Sequence, residues 1–143
     1  MLVASDPRPE LIAAVRDLRA AGYEFEADVA FRVDPYRYCM GVSCADLLVI
    51  KERRTIAVSP EAVRQPPLLR AALLEIWERY REPRPGSVPD LARGTLRVLR
   101  DGGRVGVDAA TLRRAQHGYR QLWEALEPAQ REGLDDPDSL PFP

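Results

Sequence analysis

Leu47-Leu48-Val49-Ile50-Lys51-Glu52-Arg53-Arg54-Thr55-Ile56-Ala57-Val58-Ser59 reads as two short apolar runs about a charged turn, closed by a serine suited to capping a helix. Asp46 to Ile50 and Arg54 to Val58 are therefore expected as paired strands, although Glu52-Arg53 is not a favoured hairpin dipeptide. Displaced by 49 residues, the pattern returns: Val49 falls on Val98, Ile50 on Leu99, Lys51 on Arg100, Glu52 on Asp101, Ile56 on Val105, Val58 on Val107 and Ser59 on Asp108. In that second copy Asp101-Gly102-Gly103 is a strong hairpin signal, because glycine supplies a positive φ at little steric cost. The offset continues into the helices that follow, with Leu73 on Leu122, Glu75 on Glu124 and Trp77 on Leu126. Two β-hairpin–helix repeats are the architecture this implies, although unrelated amphipathic segments also align over such lengths.

Upstream, Asp6 and the prolines Pro7 and Pro9 suit a helix start. Leu11, Ala14, Val15 and Leu18 then recur at helical spacing until Gly22. Tyr23, Phe25, Ala27, Val29, Phe31 and Val33 alternate with polar residues such as Glu24, Glu26 and Asp28, a period of two that predicts a half-buried strand ended by Asp34-Pro35. Downstream, Ser59-Pro60-Glu61 starts a helix that Pro66 and Pro67 break or reset. Leu69, Ala72, Leu73, Ile76, Trp77 and Tyr80 form the next buried stripe, with Trp77 expected as a core anchor. Asp108 caps a last helix whose stripe is Leu112, Ala115, Tyr119, Leu122, Trp123 and Leu126. The expected fold class is α+β: an antiparallel sheet of about five strands with three main helices, the two repeats following an N-terminal α–β unit. Residues 1–143 read as a single compact domain, with an exposed connection at 82–90 and a frayed acidic tail at 134–143.

The formal charge of -1 gives no global attraction to nucleic acid or to anionic membrane. Locally, residues 91–120 hold seven Arg and two Asp, whereas residues 121–143 hold one Arg and six acids, so the two stretches can offset each other. Neither a leader-like segment nor an apolar run of roughly 20 residues is present, which makes a cytoplasmic location and no membrane partner the default expectation. In that setting Cys39 and Cys44 are expected as reduced thiols.

Tyr36-Arg37-Tyr38-Cys39-Met40-Gly41-Val42-Ser43-Cys44 fits neither period and reads as a loop. Aromatic and Arg residues dominate the energetics of interfaces, so Tyr36, Arg37, Tyr38 and Met40 are the candidate protein-binding residues. Cys39 and Cys44 are candidate reactive thiols, but their spacing matches no common redox or zinc motif, and no metal or cofactor is expected. The lone His117 projects from the polar side of its helix, with no third residue to orient it on a cysteine. Arg97, Arg100, Arg104, Arg113 and Arg120 could contact phosphate, yet no aromatic accompanies them for base stacking, which disfavours nucleic acid. A noncatalytic protein-interaction or regulatory module, with an unidentified protein or a second copy as partner, is the leading expectation. A small cysteine-dependent enzyme and a weak phosphate-backbone binder are the alternatives.

Overall fold

The computed structural model describes residues 8–82 and 87–140. Its described residues form one three-stranded sheet and five α-helices, correcting the expected five strands and three helices. In chain order these are α1 (Pro9–Ala20), β1 (Ala30–Val33), β2 (Ala45–Ile50), β3 (Arg53–Val58), α2 (Pro60–Val63), α3 (Pro66–Arg81), α4 (Ser87–Asp101) and α5 (Ala109–Ala125). The capping expected from Asp6 and the tail beyond Leu140 lie outside the described residues.

The sheet is mixed rather than antiparallel, with order β1-β3-β2; β1 runs parallel to β3, and β2 antiparallel to it. Central β3 is the most deeply placed strand, burying Thr55, Ile56, Ala57 and Val58. Its hairpin with β2 turns at Lys51 and Glu52, both at positive φ (51° and 65°), one residue earlier than Glu52-Arg53. Of the long alternating run from Tyr23, only Ala30–Val33 joins the sheet. Before it the chain turns, with Val29 N donating to Glu26 O, and the carboxylates of Glu26 and Asp28 both accept from Arg54 Nη2 at 3.0 and 2.8 Å. Those acids face solvent and also tie the turn to β3.

Proline at its first position and a run of Leu, Ala, Glu and Arg favour α3 as a helix. It is the central element: α1, α2, α4 and β2 all pack on it, and Leu68, Leu69, Ala72, Leu73 and Ile76 are buried. Trp77 is only partly buried. Its indole N–H donates to Glu24 O at 3.0 Å, Tyr23 meets it edge-on, and the Arg81 guanidinium lies 4.5 Å from its ring centroid.

The largest correction falls on the supposed second hairpin. Leu96 to Asp101 is helix, continued by a 3-10 turn over Gly102–Val105, so the aligned β2–β3 segment has no structural counterpart and the internal repeat is not a repeat of structure. Ala92, Thr95, Leu96 and Leu99 are buried at helical spacing. Salt bridges fit the same period: Arg93 reaches Asp90 and Glu78, each at 2.6 Å, while Arg97 bonds Asp101 at 2.9 Å and Glu78 at 2.8 Å. Burial pushes the Glu78 carboxyl upward, but the two arginines outweigh it and hold the group below its ordinary value. Gly102 and Gly103 do not carry the positive φ; Gly106 does, at 81°, where its carbonyl accepts from Arg70 Nη2. Within the expected 82–90 connection, residues 87–90 are the first turn of α4 and residues 83–86 lie outside those described.

Candidate functional site

From β1 the chain must cross to β2, and it does so through residues 34–44, which are held at many points. Asp34 starts the segment by accepting from Tyr36 N through Oδ1 and from Arg37 N through its carbonyl. Arg37 then folds back, donating to Asp46 Oδ2 at 2.8 Å and lying 3.6 Å from Asp34 Oδ2. Met40 and Ser43 exchange both backbone hydrogen bonds around Gly41, whose φ of 61° at the first turn position suits a tight hairpin. The next pair outward, Cys39 and Cys44, is the non-hydrogen-bonded kind in which side chains lie closest, and the two cysteines are joined as a disulfide. The expectation of reduced thiols is thereby corrected: Cys-Met-Gly-Val-Ser-Cys is a miniature hairpin stapled across its strands, and neither cysteine is free.

This hairpin lies directly on α5. Gly41 faces Gly118, and a Cβ on Gly118 would meet Gly41 Cα at 3.4 Å, so two side-chain-free positions allow the backbones to touch. Arg114 locks the contact by donating from Nε to Gly41 O at 2.7 Å and from Nη1 to Glu61 at 2.9 Å. Behind the hairpin, Ser43 Oγ donates to Glu75 Oε2 at 3.1 Å. Glu75 is completely buried and also meets Arg79: Nη2 donates to Oε1 at 2.9 Å, while Nε, 2.6 Å from Oε2, makes an ionic contact off the hydrogen-bond axis. Arg79 further donates to Ala45 O and Asp46 Oδ1, joining the buried pair to Arg37. Desolvation pushes the Glu75 carboxyl up to about 7 against the opposing pull of Arg79 and Ser43.

Held this way, the segment exposes what it carries: Tyr36 is 85% exposed, Tyr38 86% and Met40 62%. Arg37 behaves differently from its neighbours, since its guanidinium is spent on Asp34 and Asp46. Two adjoining depressions flank the hairpin and share Met40, Ser43, Ser87 and Leu91. One, of about 320 Å³, is mainly apolar with Val42, Val88, Leu122 and Ala125; the other, of about 390 Å³, is lined by Arg37, Tyr38, Asp46, Arg79 and Asp90.

The other sequence candidates fall elsewhere. Arg97 is engaged by Glu78 and Asp101, Arg100 by Asp135 at 2.7 Å, Arg104 by the Tyr23 hydroxyl at 2.9 Å and Arg120 by Asp138 at 2.7 Å. The acidic segment thus supplies countercharge to two of these arginines. Arg113 makes no side-chain hydrogen bond or ion pair within the described residues. His117 lines a different recess from the hairpin's. Among the described residues no cluster of three His, Cys, Asp or Glu could hold a metal, and no helix is long and apolar enough to cross a membrane.

Glu75, Arg79, Arg114 and Gly118 were not singled out from sequence as parts of this site. A signal existed for the first pair: Glu75 sits on the apolar stripe, three residues after Ala72, with Arg79 one turn further on. The Gly41–Gly118 contact had no local signal. No known protein family, curated protein or solved structure matches this chain.

Proposed function

We propose that the protein is a noncatalytic protein-interaction module whose contact surface is the stapled hairpin with Tyr36, Tyr38 and Met40. The observation that carries this reading is the combination of high exposure and restraint: three large apolar side chains stand in solvent on a segment anchored by a disulfide, by Arg37 and by Arg114. Ordering such side chains before contact lowers the entropy that association must overcome. Tyr is an efficient anchor because it combines a large apolar face with a polar tip. The adjoining apolar depression would receive an apolar side chain of the partner, beside the charged rim formed by Asp46 and Asp90.

Affinity recovery from native lysate tests this, comparing wild type with Tyr36→Ala/Tyr38→Ala/Met40→Ala. Arg37 is left unchanged because it supports the loop. Specific partners should be lost from the triple variant while its unfolding transition matches wild type. Undiminished recovery of every specific partner by the folded variant would sink the proposal.

A further inference from the structure

β2 is an edge strand, paired only with β3. One step beyond the Ala45–Val58 pair, Ser59 N donates to Cys44 O at 2.8 Å, so residues 44, 46, 48 and 50 turn their backbone groups toward β3. The intervening residues turn theirs outward. There the Ala45 carbonyl accepts from Arg79 Nη2 at 2.7 Å, whereas the N–H and C=O of Leu47 and Val49 have no partner among the described residues. Arg79 thus closes one end of the edge and the Lys51–Glu52 turn closes the other, leaving residues 46–50 open, centred on Leu48. Leu47 packs on the core, which places Leu48 and Ile50 on the opposite face of the sheet. Val49 shares the Leu47 face without reaching the core and is 70% exposed. Such an apolar open edge is a template for a further strand.

We propose that this edge pairs antiparallel with the same edge of a second copy of the chain, about a two-fold axis through Leu48. In that register Leu47 lies opposite the other copy's Val49, and the pair exchanges both backbone hydrogen bonds, so every free donor and acceptor of Leu47 and Val49 is used. The two Leu48 side chains meet at the axis, in the non-hydrogen-bonded pair where side chains come closest, and Val49 is covered by the other copy's Leu47. The free length selects this occupant. Because the closed positions, Ala45 and Lys51, stand equally far from Leu48, an antiparallel copy fills the open stretch completely and its own closed ends coincide with them. No like charges are opposed, since Asp46 falls opposite Ile50 and Lys51 opposite Ala45. The copy's strand is also already held extended by β3, whereas a peptide from another protein has to be ordered as it binds.

Sedimentation equilibrium of the full chain, with its disulfide intact, tests this over a range of concentrations. The mass should pass from that of one chain to that of two with a dissociation constant on the order of 100 μM, as suits a small interface. Val49→Pro removes an outward N–H that β3 does not use, so it should abolish the dimer and leave the circular dichroism unchanged. Leu48→Lys and Leu48→Glu should each be monomeric, because like charges then oppose each other at the axis, and an equimolar mixture of the two should dimerise about as tightly as wild type. The proposal is overturned by a mass that stays that of one chain up to about 1 mM, or by folded Leu48→Lys and Leu48→Glu variants that fail to dimerise when mixed. It is equally overturned by a dimer that survives Val49→Pro; loss of that dimer in Tyr36→Ala/Tyr38→Ala/Met40→Ala would place the contact on the cysteine hairpin instead.

Discussion

At Glu75 a carboxyl group has been taken wholly out of water and given one arginine and one serine in exchange. Burying charge is costly unless it is paired, and here the balance leaves the proton bound up to about pH 7. The unfolded chain releases that proton near its ordinary value of 4.5. Between those pH values the folded state holds more protons, so this group's stabilising contribution is complete below the lower value and lost as pH rises through the upper one. Glu75→Gln cannot ionise, and its stability over that window should decline less with pH than wild type, by roughly 3 kcal/mol at most. Urea titrations at several pH values measure this, and parallel curves for the two proteins would show that Glu75 is ionised throughout. A neighbouring position tests the same packing from the other side. A Cβ on Gly94 would fall 2.7 Å from Glu75 Oε2 and 2.8 Å from the Glu75 carbonyl oxygen. Alanine is the better helix former by about 1 kcal/mol, but the backbone oxygen cannot retreat, so Gly94→Ala should destabilise by about 2 kcal/mol net. An unchanged denaturation midpoint would mean that α3 and α4 can separate to admit the methyl group.

Among the elements, the β2–β3 hairpin was legible and its supposed copy was not, for one physical reason. Val98, Leu99, Val105 and Val107 are apolar in both readings, and four positions cannot distinguish a strand pair from a helix followed by a turn. What decides is the longer pattern of Ala92, Thr95, Leu96 and Leu99 together with the Asp90–Arg93 and Arg97–Asp101 ion pairs at helical spacing. Glycine misled in the same place, since Gly102 is buried against Val107 and Leu112 and serves packing rather than chain reversal. At the true hairpin, two residues with side chains occupy left-handed conformations, which Asn and Gly tolerate far better. Lys51→Asn/Glu52→Gly should therefore stabilise the protein by about 1 kcal/mol, read as an increased denaturation midpoint; a decreased midpoint would show that the native side chains make stabilising contacts outweighing their strain. The cysteine hairpin is a different case. Its exposed residues were readable as a candidate contact surface, but its staple required Cys39 and Cys44 to face one another across a turn that local periodicity does not reveal. Cys39→Ser/Cys44→Ser opens a six-residue ring and should cost about 2 kcal/mol on the loop-entropy scale. Faster amide exchange at Met40 and Ser43 than in wild type should accompany it. Unaltered exchange at both positions would assign the loop's order to Arg114 and Arg37 alone.

For the whole molecule, the question is whether the segments before and after residues 83–86 are separable. The contacts argue that they are not. α3 is covered by α1 and β2 from its own side of the chain and by α4 from the other, and the Gly41–Gly118 approach brings the cysteine hairpin onto α5. Charged groups cross the same boundary: Arg93 donates to the carbonyls of Glu78 and Glu82 as well as to the Glu78 carboxylate, and Tyr23 donates to Asp101 at 2.8 Å. Removing α4 would leave Glu78 without Arg93 and Arg97 and expose the apolar side of α3, a loss that a fragment with so small a core could not offset. A specific protease site inserted between Pro83 and Gly86 turns this into a measurement. After cleavage the two pieces should co-elute and unfold in one transition coincident by fluorescence and circular dichroism, whereas each piece purified alone should lack cooperative unfolding. Two isolated fragments that each melt cooperatively would establish two domains, and α3 would then have to be stable without the helix that covers it.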